Sequence, residues 1–215
     1  IIIGASAVDN NGSCFNGSAY VVFGRATGFA DLDLATLGTQ GFRIDGAAAN
    51  DRAGTSVAAA GDVNGDGFGD LIVGASAADG NARTNNGAGY IIPGKASGFA
   101  NLDLASLGMP AIVINGQANF DSAGVSVAAA GDTDGDGFAD VIVGAVAADN
   151  NGRTDSGSAY VLFSQATGGA LYRGTSLAET LRGTSEADRM FGFGQNDTLF
   201  GGLGDDTIDG GAGND

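Results

Sequence analysis

The feature of this sequence that most constrains its fold is an internal repeat with a period of 70 residues. A run rich in aspartate and glycine, GDVNGDGFGD at 61–70, recurs as GDTDGDGFAD at 131–140. The same offset relates Tyr20, Tyr90 and Tyr160, each of which lies in a short apolar run. A fixed period of this kind indicates copies of one supersecondary unit, each packing on the next.

Each unit is predicted to contain four short strands, near 55–60, 71–75, 89–92 and 111–115, joined by turns rich in glycine and asparagine. The chain has 40 glycines, only 2 prolines and 43% hydrophobic residues, which argues against both disorder and collagen. No stretch of useful length shows helical periodicity. We therefore expect an all-β chain, since a four-stranded unit of this kind is typical of a β-propeller blade.

The points of the 70-residue repeat at which the pattern starts and stops in this chain predict a partial β-propeller over 1–168. The apolar run at 1–3 aligns with the run at 71–73, and the pattern is lost after Gly168. The expected units are one blade without its first strand, one complete blade and one that stops after three strands. Because a propeller ring closes with about 4–8 blades, we expect an incomplete ring with exposed strand edges, cut from a longer protein.

A second repeat, with a period of nine residues, follows the first. Leading glycines recur at this spacing, and an acidic residue follows each of them five positions later. The leading glycines are Gly174, Gly183, Gly192, Gly201 and Gly210, and the acidic residues are Glu179, Asp188, Asp197, Asp206 and Asp215. An apolar residue also recurs at the seventh position. This pattern predicts a parallel β-roll over 174–215, with a flexible glycine-rich linker as the alternative.

The repeated Asp/Gly runs supply the ligands that Ca²⁺ prefers, which are six to eight carboxylate and carbonyl oxygens. The flanking sequence is not helical. When the first aspartate of each run, Asp62 or Asp132, is counted as position 1, valine stands at position 12. We therefore expect a hairpin loop and not an EF-hand. A metal-free surface turn is the alternative. The predicted ligands are side chains and one carbonyl in each loop: Asp62, Asn64, Asp66, Asp70 and the Phe68 carbonyl, then Asp132, Asp134, Asp136, Asp140 and the Phe138 carbonyl.

Without a cation the carboxylates of such a loop repel one another, so metal binding is expected to be coupled to loop closure. The second loop has Asp134 where the first has Asn64, and we predict that it binds Ca²⁺ more tightly. In the nine-residue repeats, ions are expected between successive coils. The ligands predicted there are Asp188, Asp197, Asp206 and Asp215, together with Gly202 and Gly204 in the bends.

Charge and composition exclude several classes of function. The formal net charge is −16, from 9 basic and 25 acidic residues, which disfavours nucleic acid and anionic membranes as partners. No apolar run is long enough to cross a membrane. The chain has no histidine, so neither Ser–His–Asp nor Cys–His catalysis is possible within it, and Cys14 alone cannot form an internal disulfide. Most of the aspartates are already assigned to metal loops, so we expect the chain not to be an enzyme.

The motifs resemble two known families. The runs AGTSV at 53–57 and LIVGAS at 71–76, with the Asp/Gly loop between them, resemble the FG-GAP repeat of integrin α-chain propellers, although Ala53 replaces its phenylalanine and Ser76 its proline. Residues 174–215 resemble the RTX, or haemolysin-type, calcium-binding repeat. Together they are similar to large bacterial secreted or surface proteins. The resemblance implies export by type I secretion, with the RTX part unfolded in the cytosol and folded outside by calcium.

The expected function is that of an extracellular calcium-binding structural or adhesion module whose folding and export depend on Ca²⁺. The resemblance implies a protein or glycan ligand on the loops at 9–17, 79–87 and 149–157, with ordinary surface loops as the alternative. The remainder of the same polypeptide is the other expected partner. The alternative function is a non-catalytic accessory part of a secreted RTX enzyme, such as a protease, a lipase or a polysaccharide-degrading enzyme, whose catalytic domain lies elsewhere.

Overall fold

The structure is a computed structural model that describes residues 1–10, 12–26, 31–107, 111–164, 171–183 and 188–215. The predicted all-β architecture is confirmed in this part of the chain. Its strands, in chain order, are β1 (Ile2–Ala5), β2 (Ser18–Val22), β3 (Gly41–Asp45), β4 (Ala53–Gly61), β5 (Asp70–Ala75), β6 (Ala88–Ile92), β7 (Leu102–Asp103), β8 (Ile112–Asn115), β9 (Ala123–Gly131), β10 (Asp140–Ala145), β11 (Ser158–Leu162), β12 (Leu171–Arg173), β13 (Thr180–Arg182), β14 (Arg189–Phe191), β15 (Thr198–Phe200) and β16 (Thr207–Asp209). Single-turn 3-10 helices cover Leu34–Thr36, Gly38–Gln40 and Leu104–Ser106.

The first eleven strands form three sheets with the repeating order that the sequence predicts. The complete unit is the antiparallel meander β4-β5-β6-β8, and its strands lie within two residues of their predicted positions. The first sheet has the order β1-β2-β3-β7 and the third has the order β11-β10-β9. The pairings Ile3↔Tyr20, Val73↔Tyr90 and Val143↔Tyr160 keep the same register in all three. The predicted end of this region at Gly168 lies outside the described residues.

Glycines set the distance between neighbouring sheets. A Cβ added to Gly74 would lie 2.0 Å from the carbonyl oxygen of Gly124 in the next sheet, and one added to Gly4 would lie 2.2 Å from that of Gly54. Apolar clusters fill the space beside these contacts. Phe42 and Ile44 pack with Val73, Ala75 and Tyr90 between the first and second sheets, and an equivalent cluster joins the second and third: Ile72, Ile91, Val141, Val143 and Ala145.

The Asn- and Gly-rich loops tie each sheet to the next one. Gly17 forms a parallel bridge to Ala53, and Gly87 forms the equivalent bridge to Ala123. The buried side chains of Asn16 and Asn86 donate to the carbonyls of Gly46 and Gly116, at 3.4 and 3.0 Å. These loop ends therefore contribute to the packing of one blade on another.

The last strands form two parallel sheets with an 18-residue offset, so that two nine-residue repeats make one coil. Tyr172 pairs with Met190 and Met190 with Ile208, while Leu181 pairs with Leu199. Met190 is fully buried, but Ile208, which the sequence places inside the roll, is 47% exposed because β16 lies at the edge of its sheet. None of the described helices has the length and hydropathy that crossing a bilayer requires.

Candidate metal centre

Three carboxylates converge in the second Asp/Gly loop, between β9 and β10. Asp132, Asp134 and Asp136 each offer an oxygen atom, and these atoms lie within 4.8 Å of one another. The backbone holds two of them in place. The Gly137 amide donates to Asp132 Oδ2 at 2.9 Å, and the Phe138 amide donates to Asp136 Oδ1 at 2.8 Å. Three hard oxygen donors at this separation suit Ca²⁺.

The first loop, between β4 and β5, shares two of these backbone hydrogen bonds and adds others, since the Gly65 and Asp66 amides also donate to Asp62 Oδ1 at 2.7 and 3.1 Å. The Gly67 amide donates to Asp62 Oδ2 at 3.0 Å, and the Phe68 amide donates to Asp66 Oδ1 at 2.8 Å. The side chain of Asn64 donates from Nδ2 to Asp66 Oδ2 at 3.1 Å. In the first loop the Asn64 amide therefore occupies one oxygen of Asp66. In the second loop the same position carries a third carboxylate, that of Asp134. This difference supports, but does not test, the prediction that the second loop binds Ca²⁺ more tightly.

Position 9 of each loop is a buried aspartate that the structure ties to the backbone. Asp70 accepts from the Val63 amide at 2.8 Å and from the Gly94 amide at 2.7 Å. Asp140 does the same with Thr133 and Ser164, at 2.7 and 2.9 Å. Both residues thus fasten their loop to the end of the third strand of the blade. Asp140 Oδ2 also accepts from the Thr133 hydroxyl, so fewer lone pairs are left on Asp140 than on Asp70. Ligation of the metal by either residue stays a prediction.

The pKa values of these groups follow from burial and from neighbouring charges. Burial raises the pKa of Asp136, the amide of Phe138 opposes this, and the carboxylates of Asp134 and Asp132 raise the pKa further. Burial also raises the pKa of Asp70. In Asp140 burial acts in the same direction, but hydrogen bonds led by that of the Thr133 hydroxyl lower the pKa overall. The charged form of Asp136 is therefore disfavoured in the folded chain, and a cation bound at its carboxylate would relieve this.

The two Asp/Gly loops are in contact with each other. The Ala139 amide donates to the carbonyl oxygen of Asp62 at 2.9 Å. The ring of Phe138 lies against Gly65, because a Cβ added there would be 2.2 Å from the ring. Phe138 is 3% exposed, whereas Phe68, its counterpart in the first loop, is 41% exposed. The predicted role of the two phenylalanine carbonyls as ligands stays a prediction.

A separate ladder of carboxylates runs along the coils formed by β12–β16. The Glu179 amide donates to Asp197 Oδ1, the Asp188 amide to Asp206 Oδ1 and the Asp197 amide to Asp215 Oδ1, each at 2.9 Å. The other oxygen of Asp197, Oδ2, is buried and has no hydrogen-bond partner in the described part of the chain. A buried carboxylate oxygen left unpaired is costly, so this atom fits a bound cation.

The bends of these coils show how glycine makes room for the carboxylates. Cβ atoms added to Gly192 and Gly201 would lie 2.5 and 2.0 Å from Oδ2 of Asp197 and Asp206. Gly202 and Gly204, the predicted carbonyl ligands, have φ angles of +109° and +99°, which favour glycine. Their ligation of a metal, like that of the four aspartates, stays a prediction.

The first nine-residue repeat differs from the others. The hydroxyl of Thr175 donates to Glu179 Oε1 at 2.8 Å, and the Thr175 amide donates to Oε2 of the same side chain. This carboxylate is therefore satisfied within its own repeat.

These observations define a calcium-binding repeat module that combines stacked blades with a β-roll. Comparison with known proteins gives the families. The FG-GAP repeat matches residues 53–92 and 123–162, and the RTX calcium-binding nonapeptide repeat matches 173–208 and 191–215. The chain therefore contains FG-GAP repeats followed by RTX repeats, as the sequence motifs predict. Both kinds of repeat are typical of extracellular proteins.

A curated relative supports the same assignment over part of the chain. Integrin alpha pat-2 of Caenorhabditis elegans is 40% identical over 94 residues, which are 44% of this chain. The match covers only 7% of the length of that integrin. The likeness therefore concerns the repeat, and the activity of the whole integrin does not transfer with it.

One residue that the sequence analysis missed lies against the second calcium loop. Arg189, at the start of β14, donates from one guanidinium nitrogen to the carbonyl oxygen of Gly137 at 3.1 Å. Its Cζ atom lies 4.7 Å from the centre of the Phe138 ring. The two residues are 52 positions apart and belong to different repeats, so the spacing of motifs gives no signal for this contact.

Proposed function

We propose that this chain is a calcium-stabilised extracellular module with a structural role in adhesion, and that it is not itself an enzyme. The observation that carries this proposal is the group of three carboxylate oxygens within 4.8 Å of one another in a chain of net charge −16. A bound Ca²⁺ would offset their mutual repulsion and hold the loop closed. Asp132, Asp134 and Asp136 would supply the side-chain oxygens of that site.

Thermal unfolding followed by far-UV circular dichroism tests the calcium requirement. We expect a higher melting temperature and stronger β signal in Ca²⁺ than in excess chelator, with a much smaller effect of Mg²⁺, which requires stricter octahedral geometry. The double variant Asp134→Asn/Asp136→Asn should lose much of the calcium response. Equal melting in Ca²⁺ and in chelator would mean that the loops are plain turns.

We further propose that the β-roll links calcium to export. Its coils place carboxylates in a ladder, and Asp197 has an unpaired buried oxygen, so low calcium should leave this region unfolded and fit for transport as an extended chain. The 174–215 segment should then gain amide protection from hydrogen exchange when Ca²⁺ is added to the whole chain. Protection at equal levels in chelator would contradict the idea.

The surface proposed for a protein or glycan ligand is formed by the tips of the three repeated loops. In the first, the Phe15 amide donates to Asp9 Oδ1 at 2.7 Å while the Phe15 side chain is exposed. The second and third loops close in the same way, through Asp79 and Asp149. Since Gly17 and Gly87 fix the loop ends to the next sheet, the tips are presented on a rigid base.

Binding to a panel of immobilised glycans and matrix proteins, with Ca²⁺ and with chelator, tests this adhesive role. Calcium-dependent binding that is lost in Phe15→Ser should support the proposal, provided the variant melts like the wild-type chain. If calcium folds the chain but no member of the panel is bound, the accessory role beside a separate catalytic domain becomes the better explanation.

A further inference from the structure

The contact between Arg189 and the second Asp/Gly loop lies beside two aromatic rings. The guanidinium carbon lies 4.7 Å from the ring centre of Phe138 and 5.7 Å from that of Phe191. The Nε atom of Arg189 is buried, with no hydrogen-bond partner among the described residues. A guanidinium within about 6 Å of an aromatic ring centre is attracted to the face of that ring. The β-roll is therefore fastened to the propeller region at this loop.

This contact reaches a predicted metal ligand through a single peptide group. Arg189 donates to the carbonyl oxygen of Gly137 at 3.1 Å, and the amide of the same peptide unit, on Phe138, donates to Asp136 Oδ1 at 2.8 Å. Hydrogen bonds in such a chain polarise one another. The guanidinium thus strengthens the bond that sets the orientation of the Asp136 carboxylate, whose neighbours are Asp132 and Asp134.

The first loop has the same peptide geometry without the guanidinium. Phe68 donates to Asp66 Oδ1 at 2.8 Å, the distance found for Phe138 and Asp136. A Cβ added to Gly67 would meet nothing within 4 Å, whereas one added to Gly137 would lie 2.8 Å from an Arg189 nitrogen. The two loops therefore provide a comparison within one molecule, because among the described residues it is the second loop alone that contacts a residue of the β-roll.

We propose that Arg189 is a positioning residue for the second propeller calcium site, so that calcium in this loop and an ordered β-roll favour each other. This inference rests on the proposed function, since it requires that the loop binds Ca²⁺. By reciprocity, calcium bound in the loop strengthens the docking of the β-roll by the same factor. The charge of Arg189 opposes the incoming cation, and the proposal requires that the hydrogen-bonded chain, which acts at contact distance, outweighs this repulsion.

The magnitude follows from the behaviour of residues that orient metal ligands. Loss of such a residue costs 10–100-fold in metal affinity, and here we expect a loss of about tenfold at the second loop. Arg182 offers a matched control, because it stacks on Phe200 of the neighbouring strand β15 at 4.2 Å. Replacing it removes the same kind of cation–aromatic contact from the β-roll without touching the propeller loop.

The experiment is a calcium titration of the whole 215-residue chain, followed by ¹⁵N nuclear magnetic resonance. The amides of Gly67 and Gly137 each donate to the first aspartate of their own loop, so their shifts report the two sites separately. In Arg189→Ala we expect about tenfold weaker binding at Gly137 and less than about twofold change at Gly67. Arg182→Ala should leave both unchanged, and Arg189→Lys should restore only part of the affinity because it lacks the planar fork.

The outcomes separate this inference from the function on which it rests. In one outcome the amides of both glycines shift with calcium, and Arg189→Ala binds calcium at the second loop as tightly as the wild-type chain or more tightly. This outcome would overturn the positioning role alone. Equal weakening at Gly67 and Gly137 would also overturn it, because the effect would then be a general loss of stability. No calcium-dependent shift at either glycine in the wild-type chain would overturn the proposed function as well.

Discussion

Asn64 and Asp134 occupy the same position of the two calcium loops and differ by one formal charge. In the first loop the Asn64 side chain donates to Asp66 Oδ2 at 3.1 Å and so takes up an oxygen that a metal could use. In the second loop a carboxylate adds a donor for the cation and raises the repulsion that the cation offsets. We therefore expect this single residue to change both the stability of the empty loop and its affinity for calcium.

Asn64→Asp should make the first loop bind calcium more tightly, and Asp134→Asn should weaken the second, each by about tenfold because affinity in such loops follows ligand charge. Calcium titrations of the whole chain, followed at the Gly67 and Gly137 amides by nuclear magnetic resonance, check this because each amide donates to the first aspartate of its own loop. With no other change, the second loop should be the tighter of the two. A tighter first loop would show that its internal hydrogen bond organises the site instead of blocking it.

Asp51 gives the calcium-free chain a distinct pH dependence. Burial raises its pKa to about 6, the Ala48 amide opposes this, and the charge of Asp79 raises it further. Between about pH 4 and 6 the folded state therefore keeps a proton on Asp51 that the unfolded state has released. The stability contributed by this proton is lost as pH rises through that range. Asp51→Asn does not titrate, and at pH 7 it should be more stable than wild type by up to about 2 kcal/mol.

Thermal melts of both chains at pH 4, 5 and 7, in calcium-free buffer, measure the effect. The two proteins should differ least at pH 4, where Asp51 is protonated in the folded state and partly protonated in the unfolded state, and should diverge as pH rises. A difference that is the same at every pH would indicate altered packing beside Tyr90, and the pKa would then not be its cause.

At the scale of the strands, Gly74 determines how closely two blades approach. Its φ angle is an ordinary one, so the requirement for glycine is steric: a Cβ would lie 2.0 Å from the Gly124 carbonyl oxygen and 2.5 Å from Ser56 Oγ. Gly74→Val should therefore destabilise the calcium-loaded chain by more than about 2 kcal/mol, since neither backbone can yield without breaking sheet hydrogen bonds.

Gly24→Ala is the matched control, because a Cβ there meets nothing within 4 Å, and it should change the melting temperature little. Denaturant unfolding of both variants in saturating Ca²⁺ gives the comparison. If Gly74→Val cost no more than Gly24→Ala, the close approach of the sheets at this glycine would not be essential.

The repeat predicted these strands because each blade alternates a short apolar run with a turn. It did not predict β7, which pairs in parallel with β3 through Ile44↔Leu102. Residues 93–107 do repeat the run at 23–37, since GFADLDLATLG at 28–38 recurs as GFANLDLASLG at 98–108, but the repeat itself does not say with which strand this run pairs. Their position depends instead on tertiary packing, in which Phe99 stacks on Phe42 with ring centres 5.1 Å apart. A contact between side chains distant in sequence leaves no local signal.

At the scale of the whole molecule, two periods in the sequence were enough to predict a propeller-like part and a β-roll, and the candidate ligands in each. They could not predict how the two parts meet. Periodicity reports what is common to all copies, whereas Arg189 contacts Gly137 through one exceptional residue of one repeat. The same reasoning explains Phe138, which is buried between the first loop and Arg189, while Phe68 has no such cover and is exposed.

The net charge of −16 gives a prediction that belongs to the molecule as a whole. Without calcium, the folded chain concentrates this charge and repels itself, so salt should stabilise it by screening. The Debye length falls from about 30 Å at 0.01 M to about 10 Å at 0.1 M. We therefore expect the melting temperature in chelator to rise clearly over this range of NaCl.

In saturating Ca²⁺ the rise should be much smaller, because bound ions already offset the carboxylates. Choline chloride, whose bulky cation does not fit the loops, should reproduce the effect. A salt response of the same size with and without calcium would mean that the charge responsible lies outside the metal sites.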